Sequence, residues 1–541
     1  MNIGGHSRLP EPGEVFALLE NSRAADHQAD SLFFSDPIAE VVCHHESELE
    51  SALAQIDDFR RDGFYACGYL AYEAGYLLVD KRDFGFSQQP YSDSPLLHFY
   101  IFRGASPLSS VQVSALLQNL HPINEPVAIY NLALNMSNVD YVDRINKIRE
   151  YIRNGDTYQV NFTLKYRFQY QGNAIALYQR LRERQRVEFG ALLNFPEFNV
   201  ISLSPELFLR KKGMGLESKP MKGTAARGHL PEQDATIVAN MKQDPKTLSE
   251  NVMIVDLIRN DVGRVATLGS VTVNDMFEVQ TYETLHQMIS TVHGSVSPDI
   301  SFEKIFRHLF PCGSITGAPK IRTMQIIDEL EVERRGVYTG AIGYLTPDND
   351  FCFNVPIRTC IVHRDGTAEM GVGSGIIYEA DAQSEFEECL LKARFLTGIN
   401  STFQLLESMR YEGATGTILK LDEHITRLAG SAAVLHFSLD QEAMIDSVHS
   451  AIQGLQGDHK VRVALEQCGR HDIQVMRLEP PCDSMERPYI DVSRIPVDSR
   501  SLLLRYKTSE RRLYDREYER CVTQGAYDVL FINELGQITE A

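Results

Sequence analysis

The stretch Pro311-Cys312-Gly313-Ser314-Ile315-Thr316-Gly317-Ala318-Pro319-Lys320 interrupts a regular pattern of helices and strands. Its two glycines and two prolines exclude a helix or a central strand, because proline lacks an N–H donor and glycine loosens the backbone. Helical spacing returns at residues 321–330, so a shaped loop is predicted to lead into a helix N-terminus, where anions are favoured. The loop is therefore either an anion site or an ordinary tight connection.

The length and composition of the chain indicate a protein of more than one domain. With 541 residues, about two to four domains are expected. The 43% apolar and 23% charged residues are typical of a soluble globular protein. No apolar run approaches the roughly 18 residues of a membrane helix, and residues 1–8 lack the apolar segment of a signal peptide. We therefore expect the cytoplasm.

Cysteine content and charge exclude several classes of protein. The nine cysteines include no C-x-x-C pair, which argues against a disulfide framework or a structural zinc site. A net charge of −20 disfavours nucleic acid and anionic membranes as partners, since both reward clustered lysine and arginine. An anionic substrate would need local cations to overcome this overall charge.

The first 125 residues or so alternate apolar strands with amphipathic stretches and contain no recognisable catalytic cluster. Strands are predicted at residues 69–72 and 96–102, and residues 47–60 are one of the amphipathic stretches. Leu18-Leu19-Glu20-Asn21-Ser22 is predicted to end a helix. Further along, a helix is predicted at residues 141–153, and strands at residues 156–163, 199–204 and 206–210.

Lys222 lies in a constrained segment. Pro220 and Gly223 fix the backbone of residues 219–224 and are predicted to present Lys222 at a turn. Most lysines in such places are solvated surface residues. The alternative is an amine held for chemistry.

Carboxylates recur on two predicted helices. Glu250 and Asp256 lie on an apolar helix over residues 249–261, where a buried carboxylate needs a metal, an arginine or backbone donors. The alternative is capping together with a salt bridge to Arg259 or Arg264.

A second helix carries Glu385, Glu388 and Lys392 on one face by the three-and-four spacing rule. These side chains form either a solvated, paired face or a site for Mg²⁺, which a few carboxylates and several waters hold. Gly371-Val372-Gly373-Ser374-Gly375 precedes them and is predicted to form a backbone N–H cradle for a carboxylate or phosphate at a strand-to-helix junction.

Six motifs together resemble those of the chorismate-utilising enzymes. They occur in the same order, at residues 219–224, 250–261, 313–320, 338–344, 357–359 and 385–392. The resemblance covers about residues 10–396 and is greatest to aminodeoxychorismate synthase component I, which makes 4-amino-4-deoxychorismate on the way to p-aminobenzoate and folate. It implies an α+β fold, an α/β sandwich of large, mainly antiparallel sheets with helices outside.

The resemblance also implies catalytic roles for Lys222, Glu250 and His286. Anthranilate synthases have alanine in place of Lys222. In aminodeoxychorismate synthases, the lysine at this position is proposed to attack C2 of chorismate, so that ammonia enters at C4. A nucleophilic amine must be neutral. Deprotonation at pH 7 costs roughly 4.6 kcal/mol from a pKa of about 10.4, but roughly 1.4 kcal/mol from a pKa of about 8.

A magnesium site is implied in the same way. Glu250 and Glu388 would ligate Mg²⁺ with Glu385 beside them, and the metal would meet the ring carboxylate of chorismate. Lys392 would neutralise the acidic helix and contact the substrate. Many relatives have an acidic residue where this chain has Thr247, so one outer carboxylate is missing here.

Further residues are implied to bind the substrate. Arg358 and Tyr338, with the N–H groups of Gly373 and Gly375, would hold the enolpyruvyl carboxylate. The reacting face would be lined by His286, Ser314 and Thr316. Residues 18–22 resemble a segment that forms a tryptophan pocket in several relatives, and whether this chain binds tryptophan stays open.

The resemblance implies a partner as well. The sequence contains no Cys-His-Glu glutaminase motif, so ammonia is expected from a separate glutamine amidotransferase subunit. Free ammonium at high concentration is expected to replace it.

The C-terminal part resembles aminodeoxychorismate lyase and the branched-chain aminotransferases, which are PLP enzymes of fold type IV. A strand is predicted at residues 403–410 and a helix from residue 421. The resemblance implies that Arg427 grips the cofactor phosphate, Lys507 forms the Schiff base and Glu540 pairs with the pyridine nitrogen. Because the sequence stops at Ala541, we expect a partial domain that binds PLP poorly and has little lyase activity.

The sequence thus predicts an N-terminal subdomain (residues 1–125), a chorismate-binding catalytic domain (126–396), a linker (397–402) and a partial lyase-like domain (403–541). Three alternatives stay open. The first is anthranilate or isochorismate-type chemistry on the same scaffold. The second is a PLP transaminase or lyase with a regulatory N-terminal part, and the third is a non-catalytic scaffold for the glutaminase.

Overall fold

The computed structural model describes residues 9–11, 13–24, 28, 30–79, 94–121, 127–227, 231–281, 285–397, 403–435, 437–466, 469–478, 489–497, 506–509, 511–533 and 535–540. Five residues of the predicted linker, 398–402, lie outside them. The chain divides into two compact units. The first comprises Met1–His121, Leu132–Phe168 and Leu177–Gly398, and the second comprises Pro122–Asn131, Gln169–Ala176 and Ile399–Ala541. Within the described ranges, none of the helices combines the length and apolar character needed to cross a membrane.

The strands in chain order are β1 Phe16–Glu20, β2 Ser31–Ser35, β3 Ala39–Cys43, β4 Tyr65–Leu70, β5 Leu97–Phe102, β6 Ser106–Leu108, β7 Ala128–Leu134, β8 Gln159–Gln171, β9 Phe189–Asn194, β10 Phe198–Ser204, β11 Leu207–Lys212, β12 Gly215–Lys219, β13 Met221–Ala226, β14 Thr272–Thr281, β15 Leu285–Ser295, β16 Gly317–Ala318, β17 Ala341–Leu345, β18 Phe351–Asn354, β19 Thr359–His363, β20 Thr367–Ile376, β21 Leu405–Glu412, β22 Thr417–Ile418, β23 His459–Leu465, β24 His471–Arg477, β25 Ile490–Val492, β26 Asp528–Ile532 and β27 Ile538–Glu540.

The helices are α1 Leu49–Arg61, α2 Ala74–Leu78, α3 Ser110–Leu120, α4 Asn138–Arg153, α5 Ala174–Arg184, α6 Pro231–Met241, α7 Pro245–Gly263, α8 Phe302–Leu309, α9 Lys320–Leu330, α10 Ala382–Thr397, α11 Leu421–Leu435, α12 Gln441–Ile452 and α13 Arg512–Thr523.

Two large sheets make up most of the first unit. One has the strand order β16-β8-β20-β19-β10-β9-β1-β2-β6, with β7 also paired to β8. The other has the order β13-β15-β12-β11-β18-β17-β4-β5-β3, with β14 also paired to β15. Neighbouring strands such as β1 and β9, or β4 and β17, run antiparallel. The predicted α+β fold with large antiparallel sheets is confirmed.

The core of this unit draws apolar side chains from both sheets. Phe34 and Leu193 of the first sheet cluster with Tyr69, Phe102 and Ile342 of the second. Burial of such side chains stabilises the fold by roughly 25 cal/mol per Å² of apolar surface. The sheets therefore face each other, and each strand is held in register by the side chains it contributes to this layer.

Residues 18–22 do not end a helix, so that prediction is wrong. Phe16–Glu20 form strand β1, which pairs with β2 on one side and β9 on the other. Leu18 is fully buried. A short apolar run that is buried on both faces lacks the alternation that distinguishes a strand from a helix segment, and here the sheet decides.

Two glycine-containing segments of the predicted site are strands rather than turns. Lys222 lies in β13, where Gly223 has a φ of +86° and the register with β15 shifts between Met221 and Thr224. This is a β-bulge, which re-aims a side chain without ending the strand. Residues 371–375 likewise lie inside β20 and not at a strand-to-helix junction.

The second unit contains a four-stranded sheet in the order β22-β21-β23-β24 and a smaller sheet in the order β25-β26-β27. Leu405, Leu428, Met444 and Val461 belong to one buried cluster that joins the larger sheet to α11 and α12. The predicted strand near residues 403–410 and the helix from residue 421 are confirmed by β21 and α11.

Candidate active site

The loop at residues 311–320 is fastened to helix α7. Lys320 Nζ lies 2.5 Å from Asp261 Oδ2 and donates to the Leu309 carbonyl at 2.8 Å. A Cβ on Gly313 would lie 2.6 Å from Leu257 Cδ2, so the loop approaches the side chains of the helix closely at this glycine. The tight connection is thus part of the site, because it sets Ser314 beside α7.

Lys222 is directed at strand β20. A Cβ on Gly375 would lie 3.2 Å from Lys222 Nζ and 2.6 Å from Nε2 of Gln159. The β-bulge at Gly223 aims the amine there, and Thr247 of α7 packs closely against that glycine. The solvated surface position that is usual for lysine is therefore wrong for this residue.

The electrostatic surroundings of Lys222 favour its neutral form. Burial lowers the pKa of Lys222 below its ordinary value, and the nearby Lys392 ammonium lowers it further. The carboxylates of Glu250, Glu206 and Glu388 oppose this shift. A depressed pKa makes an amine available as a nucleophile near neutral pH.

Glu206 is a site residue that the sequence pattern did not reveal. It is buried, and this burial raises its pKa to about 7. A hydrogen bond from Ser314, the charge of the Lys222 ammonium and a hydrogen bond from the Met221 N–H each lower the pKa and so oppose this effect. Ser314 Oγ donates to Glu206 Oε1 at 2.6 Å. A carboxyl group that titrates near neutral pH can act as an acid or a base. In the sequence it looked like an ordinary residue at the start of a strand.

Gln159 is a second residue that was missed. Its side chain is almost fully buried beside Lys222, and its Oε1 has no hydrogen-bond partner among the described residues. A buried, unsatisfied amide oxygen in a site is suited to a ligand that carries an N–H or O–H donor. Only the contact with Gly375 in β20 distinguishes this glutamine from any other strand residue.

Two of the predicted metal ligands, Glu250 and Glu388, act on the same amine. Glu388 Oε1 lies 2.7 Å from Lys392 Nζ, which also donates to the Gly373 carbonyl at 2.9 Å. Glu250 and Glu388 both act on the Lys222 ammonium. Among the described residues no three His, Cys, Asp or Glu side chains are grouped as metal ligands. Two carboxylates fit Mg²⁺, which keeps several waters, and the Lys392 ammonium is a cation already in contact with one of them.

Asp256 does not belong to this group. It is largely exposed and pairs with Arg259 at 2.7 Å, one turn along α7. For this residue the salt-bridge alternative is confirmed. Glu385, in contrast, is buried on α10.

Tyr338 and the glycines of β20 lie together. A Cβ on Gly371 would lie 2.1 Å from Cδ1 of the buried Tyr338 ring, so the ring rests on the strand. Arg358 has a φ of +51°, and its guanidinium lies against the side-chain amide of Gln185, whose oxygen faces Nε only when the amide is turned over.

His286 and Thr316 have their polar atoms engaged by the protein. His286 Nε2 lies 2.9 Å from Asp234 Oδ1, and Nδ1 lies 3.0 Å from Thr281 Oγ1. The Thr316 hydroxyl is fully buried and donates to the Cys312 carbonyl at 3.0 Å. In this conformation neither side chain offers a ready donor to a substrate, and their catalytic or binding roles stay predictions.

Residues 18–22 border a cavity away from Lys222. Leu19, Glu20 and Asn21 line a space of about 540 Å³ together with Lys211 and Tyr344. Glu20 accepts a hydrogen bond from Tyr178 at 2.6 Å and pairs with Arg182 at 2.5 Å.

The second unit brings two of its three predicted cofactor residues together. Partial burial lowers the pKa of Lys507, Glu407 opposes this, and Arg427 adds to the lowering. Arg427 donates from Nε and Nη2 to the two oxygens of Glu407, at 2.7 and 2.6 Å. A lysine with a depressed pKa beside an arginine fits a Schiff-base site. The side chain of Glu540 lies outside the described residues.

Comparison with known proteins places both parts of the chain. The family profile described as chorismate binding enzyme matches residues 16–398, and that described as amino-transferase class IV matches residues 404–541. The chain is 41% identical over 283 residues to "Aminodeoxychorismate synthase, chloroplastic" of Arabidopsis thaliana, which is 51% of this chain and 30% of that protein. It is 37% identical over 274 residues to "Aminodeoxychorismate synthase component 1" of Klebsiella aerogenes, which is 51% of this chain and 59% of that one.

The chain therefore spans less than two thirds of the length of either curated relative. Among solved structures, anthranilate synthase component I of Streptococcus pneumoniae superposes with a TM-score of 0.57 at 24% identity, over 72% of this chain and 94% of that one. At this identity the likeness supports the fold of the first unit. With its profile match over residues 16–398, the chain belongs to the chorismate binding enzyme family.

Proposed function

We propose that this chain is an aminodeoxychorismate synthase component, which converts chorismate and ammonia to 4-amino-4-deoxychorismate and water. The observation that carries the proposal is the Lys222 amine, which has a lowered pKa, lies against Gly375 and is surrounded by Glu206, Glu250 and Glu388. Anthranilate chemistry requires no such amine.

The proposed mechanism uses Lys222 as the nucleophile. Its neutral Nζ attacks C2 of chorismate, both ring double bonds shift by one position and the protonated C4 hydroxyl leaves as water. Hydroxide is a poor leaving group, so a proton must reach the oxygen, and Glu206, with a pKa of about 7, is the acid that supplies it. Ammonia then attacks C4, both double bonds shift back, and the C2–Nζ bond breaks to restore the neutral amine. The proton that ammonia loses returns to Glu206.

The substrate is held by charges and by backbone donors. Glu250 and Glu388 would hold Mg²⁺, which supplies charge neutralisation at the ring carboxylate when it is bound. Lys392, whose Nζ bridges Glu388 and the Gly373 carbonyl, adds a second positive charge for a carboxylate. Together with Lys222 it provides the local cations that a dianionic substrate needs on a chain of net charge −20.

Ammonia would come from a separate glutamine amidotransferase subunit. The name of the Klebsiella relative, "component 1", is consistent with an enzyme of more than one component. For the isolated chain, ammonium at high concentration is the expected substitute.

The test is product identification. Purified chain is incubated with chorismate, MgCl₂ and ammonium chloride, and the product is examined by mass spectrometry and fluorescence. We expect an ammonia-dependent product with the mass of 4-amino-4-deoxychorismate. Fluorescent anthranilate with released pyruvate, or an isomer of chorismate formed without ammonia, would replace this proposal by one of its alternatives. Absence of any product contradicts all three.

For residues 404–541 we propose a PLP-binding segment in which Lys507 and Arg427 face the cofactor. PLP, when bound, would supply an electron sink for bonds at the amino carbon of a substrate. Arg427 is already paired with Glu407, so a phosphate must share the guanidinium with that carboxylate. We therefore expect weak cofactor binding.

A further inference from the structure

Arg335 is a buried arginine behind the proposed chorismate site. It lies between α9 and β17, three residues before Tyr338, and its side chain is almost inaccessible to solvent. Its guanidinium carbon lies 4.4 Å from the centroid of the Tyr72 ring. A fully buried guanidinium is costly unless its donors are satisfied, so its partners show what it holds.

All five N–H donors of this guanidinium have an acceptor. Nε and Nη2 donate to Glu331 Oε2 at 2.9 Å and Oε1 at 2.7 Å. The second hydrogen of Nη2 points to the Asn161 carbonyl at 2.6 Å, and Nη1 donates to the Ile315 carbonyl at 2.8 Å and to Thr339 Oγ1 at 3.4 Å. Because the guanidinium is planar and rigid, these acceptors keep fixed positions relative to one another.

The first of the fixed segments is the loop that carries Ser314 and Thr316. Ile315 lies between these two residues, and its carbonyl is the one that Arg335 binds. The neighbouring Thr316 carbonyl accepts from the Asn161 N–H at 2.8 Å, so Arg335 closes a bridge between the loop and strand β8.

The second fixed segment is the glycine strand β20. Glu331 accepts from both the N–H and the hydroxyl of Thr163, each at 2.9 Å. Thr163 in turn packs against Gly373, where a Cβ would lie 2.8 Å from Thr163 Cγ2. The spacing between the loop and the proposed carboxylate cradle therefore depends on the Arg335–Glu331 pair.

The main chain of Arg335 is fixed independently. Glu73, a buried carboxylate near the start of α2, accepts from the Arg335 N–H at 2.7 Å and from the Gly336 N–H at 3.0 Å. The guanidinium thus extends from an anchored backbone and transmits the position of that backbone to the loop.

We propose, on the basis of the function proposed above, that Arg335 is a positioning residue that holds the Ser314 hydroxyl against Glu206 through its bond to the Ile315 carbonyl. Ser314 donates to Glu206 at 2.6 Å, and Glu206 lies beside Lys222, so the chain of contacts runs from Arg335 to the nucleophile. Lysine cannot replace the arginine, because one nitrogen with three donors cannot reach Glu331 and both carbonyls.

A double-mutant cycle with Arg335→Lys and Ser314→Ala tests this inference. We expect Arg335→Lys to lower kcat/KM for chorismate about 10- to 100-fold, as small misplacements in active sites do. In the Ser314→Ala background the same change should cost less than about threefold, because its route to Glu206 is already broken. The acidic limb of the pH profile of kcat/KM should move in both single variants.

Arg334→Lys is the matched control. Arg334 is the adjacent, mostly buried arginine, pairs with Asp328 and lies 5.7 Å from the centroid of the Tyr76 ring. The Arg334→Lys variant should lower the thermal unfolding midpoint about as much as Arg335→Lys does. Its effect on kcat/KM should be independent of the effect of Ser314→Ala, and the pH profile of kcat/KM should not move. If Arg335→Lys does not fold, Glu331→Gln, which removes the charge that orients the guanidinium, takes its place in the cycle.

Two results would overturn the inference. One is independent, multiplicative effects of Arg335→Lys and Ser314→Ala, and the other is a loss of stability in Arg335→Lys with kcat/KM unchanged. The cycle is also run on the dissociation constant of chorismate in ammonium-free buffer, which does not depend on the product formed. Wild-type chain that binds no chorismate refutes the proposed function and this inference together, whereas binding with an additive cycle refutes the inference alone.

Discussion

The Lys222 amine lies beside the space that a side chain at Gly375 would occupy, and the two residues belong to strands of different sheets. A Cβ on Gly375 would stand 3.2 Å from Lys222 Nζ and 2.6 Å from Nε2 of Gln159. Both obstacles are ends of flexible side chains, which can move aside. The position of the proposed nucleophile therefore depends on the absence of a side chain on the opposite strand.

Gly375→Ala should accordingly impair catalysis more than folding. The methyl group displaces the amine and the Gln159 amide, so we expect kcat/KM to fall about tenfold or more, with a thermal midpoint close to that of the wild type. Gly373→Ala is the matched control. Its Cβ would lie 2.6 Å from the Phe162 carbonyl oxygen, which is backbone and cannot rotate away, so that variant should lose stability. Equal losses of stability in the two variants would contradict this assignment.

Lys222→Ala should lower the rate of chorismate amination by several orders of magnitude, because the covalent step needs the amine. In the wild type, kcat/KM should rise with pH through a pKa below the ordinary lysine value, since burial lowers the pKa of Lys222 and the protonated form cannot attack. Lys219→Ala is the control, because Lys219 lies three residues away and pairs with Glu217 at 3.3 Å. Unchanged product formation in Lys222→Ala would contradict the covalent role of this amine.

Glu206→Gln should stabilise the protein at alkaline pH and reduce its activity. Burial raises the pKa of Glu206 to about 7 from an ordinary value of 4.5. Between these values the unfolded chain has lost a proton that the folded chain keeps, so wild-type stability falls as pH rises from 4.5 through 7. The difference corresponds to about 3 kcal/mol, which the glutamine should recover at pH 8 but not at pH 4.

Denaturant unfolding at pH 4 and pH 8 measures this effect, with Glu217→Gln, a less buried carboxylate of β12, as the control. A pH-independent difference between Glu206→Gln and wild type would show that folding does not raise the pKa of Glu206.

Lys392→Gln should tighten the binding of Mg²⁺ to the substrate-free chain. The Lys392 ammonium lies 2.7 Å from Glu388 Oε1, and a metal at that carboxylate must displace it or share it. Isothermal titration with MgCl₂ in ammonium-free buffer measures the change, and Arg394→Gln on the same helix controls for loss of a positive charge. Identical affinities in both variants would leave Lys392 without a direct role at Glu388.

PLP should bind weakly to this chain. Titration with PLP is followed through the absorbance band of a lysine aldimine, with Lys507→Ala as the control that lacks the amine. We expect saturation only well above stoichiometric cofactor, because Arg427 donates two hydrogen bonds to Glu407. Stoichiometric formation of the aldimine would show that the Arg427 guanidinium leaves Glu407 and binds the phosphate.

Much of the local structure follows from the sequence. The apolar pattern and Asn154-Gly155 correctly predict helix α4, which ends at Arg153. The prolines and glycines of residues 311–320 predict a shaped loop before α9, and the three-and-four spacing correctly places Glu388 and Lys392 side by side. These features depend on neighbours in the chain, which the sequence displays directly.

Other features depend on which strands become neighbours. Residues 18–22 were mistaken for a helix end because a fully buried strand has no alternation of polar and apolar residues. Glu206 and Gln159 carry no motif of their own and become distinctive only because folding buries them beside Lys222. Asp256 shows the opposite case, since it shares a helix with Glu250 but remains at the surface.

The sequence by itself determined the order of the motifs, some of the helices and strands, and the identity of the amine that sets the expected chemistry. Only the tertiary structure decided the protonation tendencies of Lys222 and Glu206 and brought the acceptors in Glu331, Asn161, Ile315 and Thr339 together around the Arg335 guanidinium. The physical reason is that pKa values and buried hydrogen bonds depend on desolvation and on distances between residues far apart in the chain. Those distances are set only when the two sheets have packed against each other.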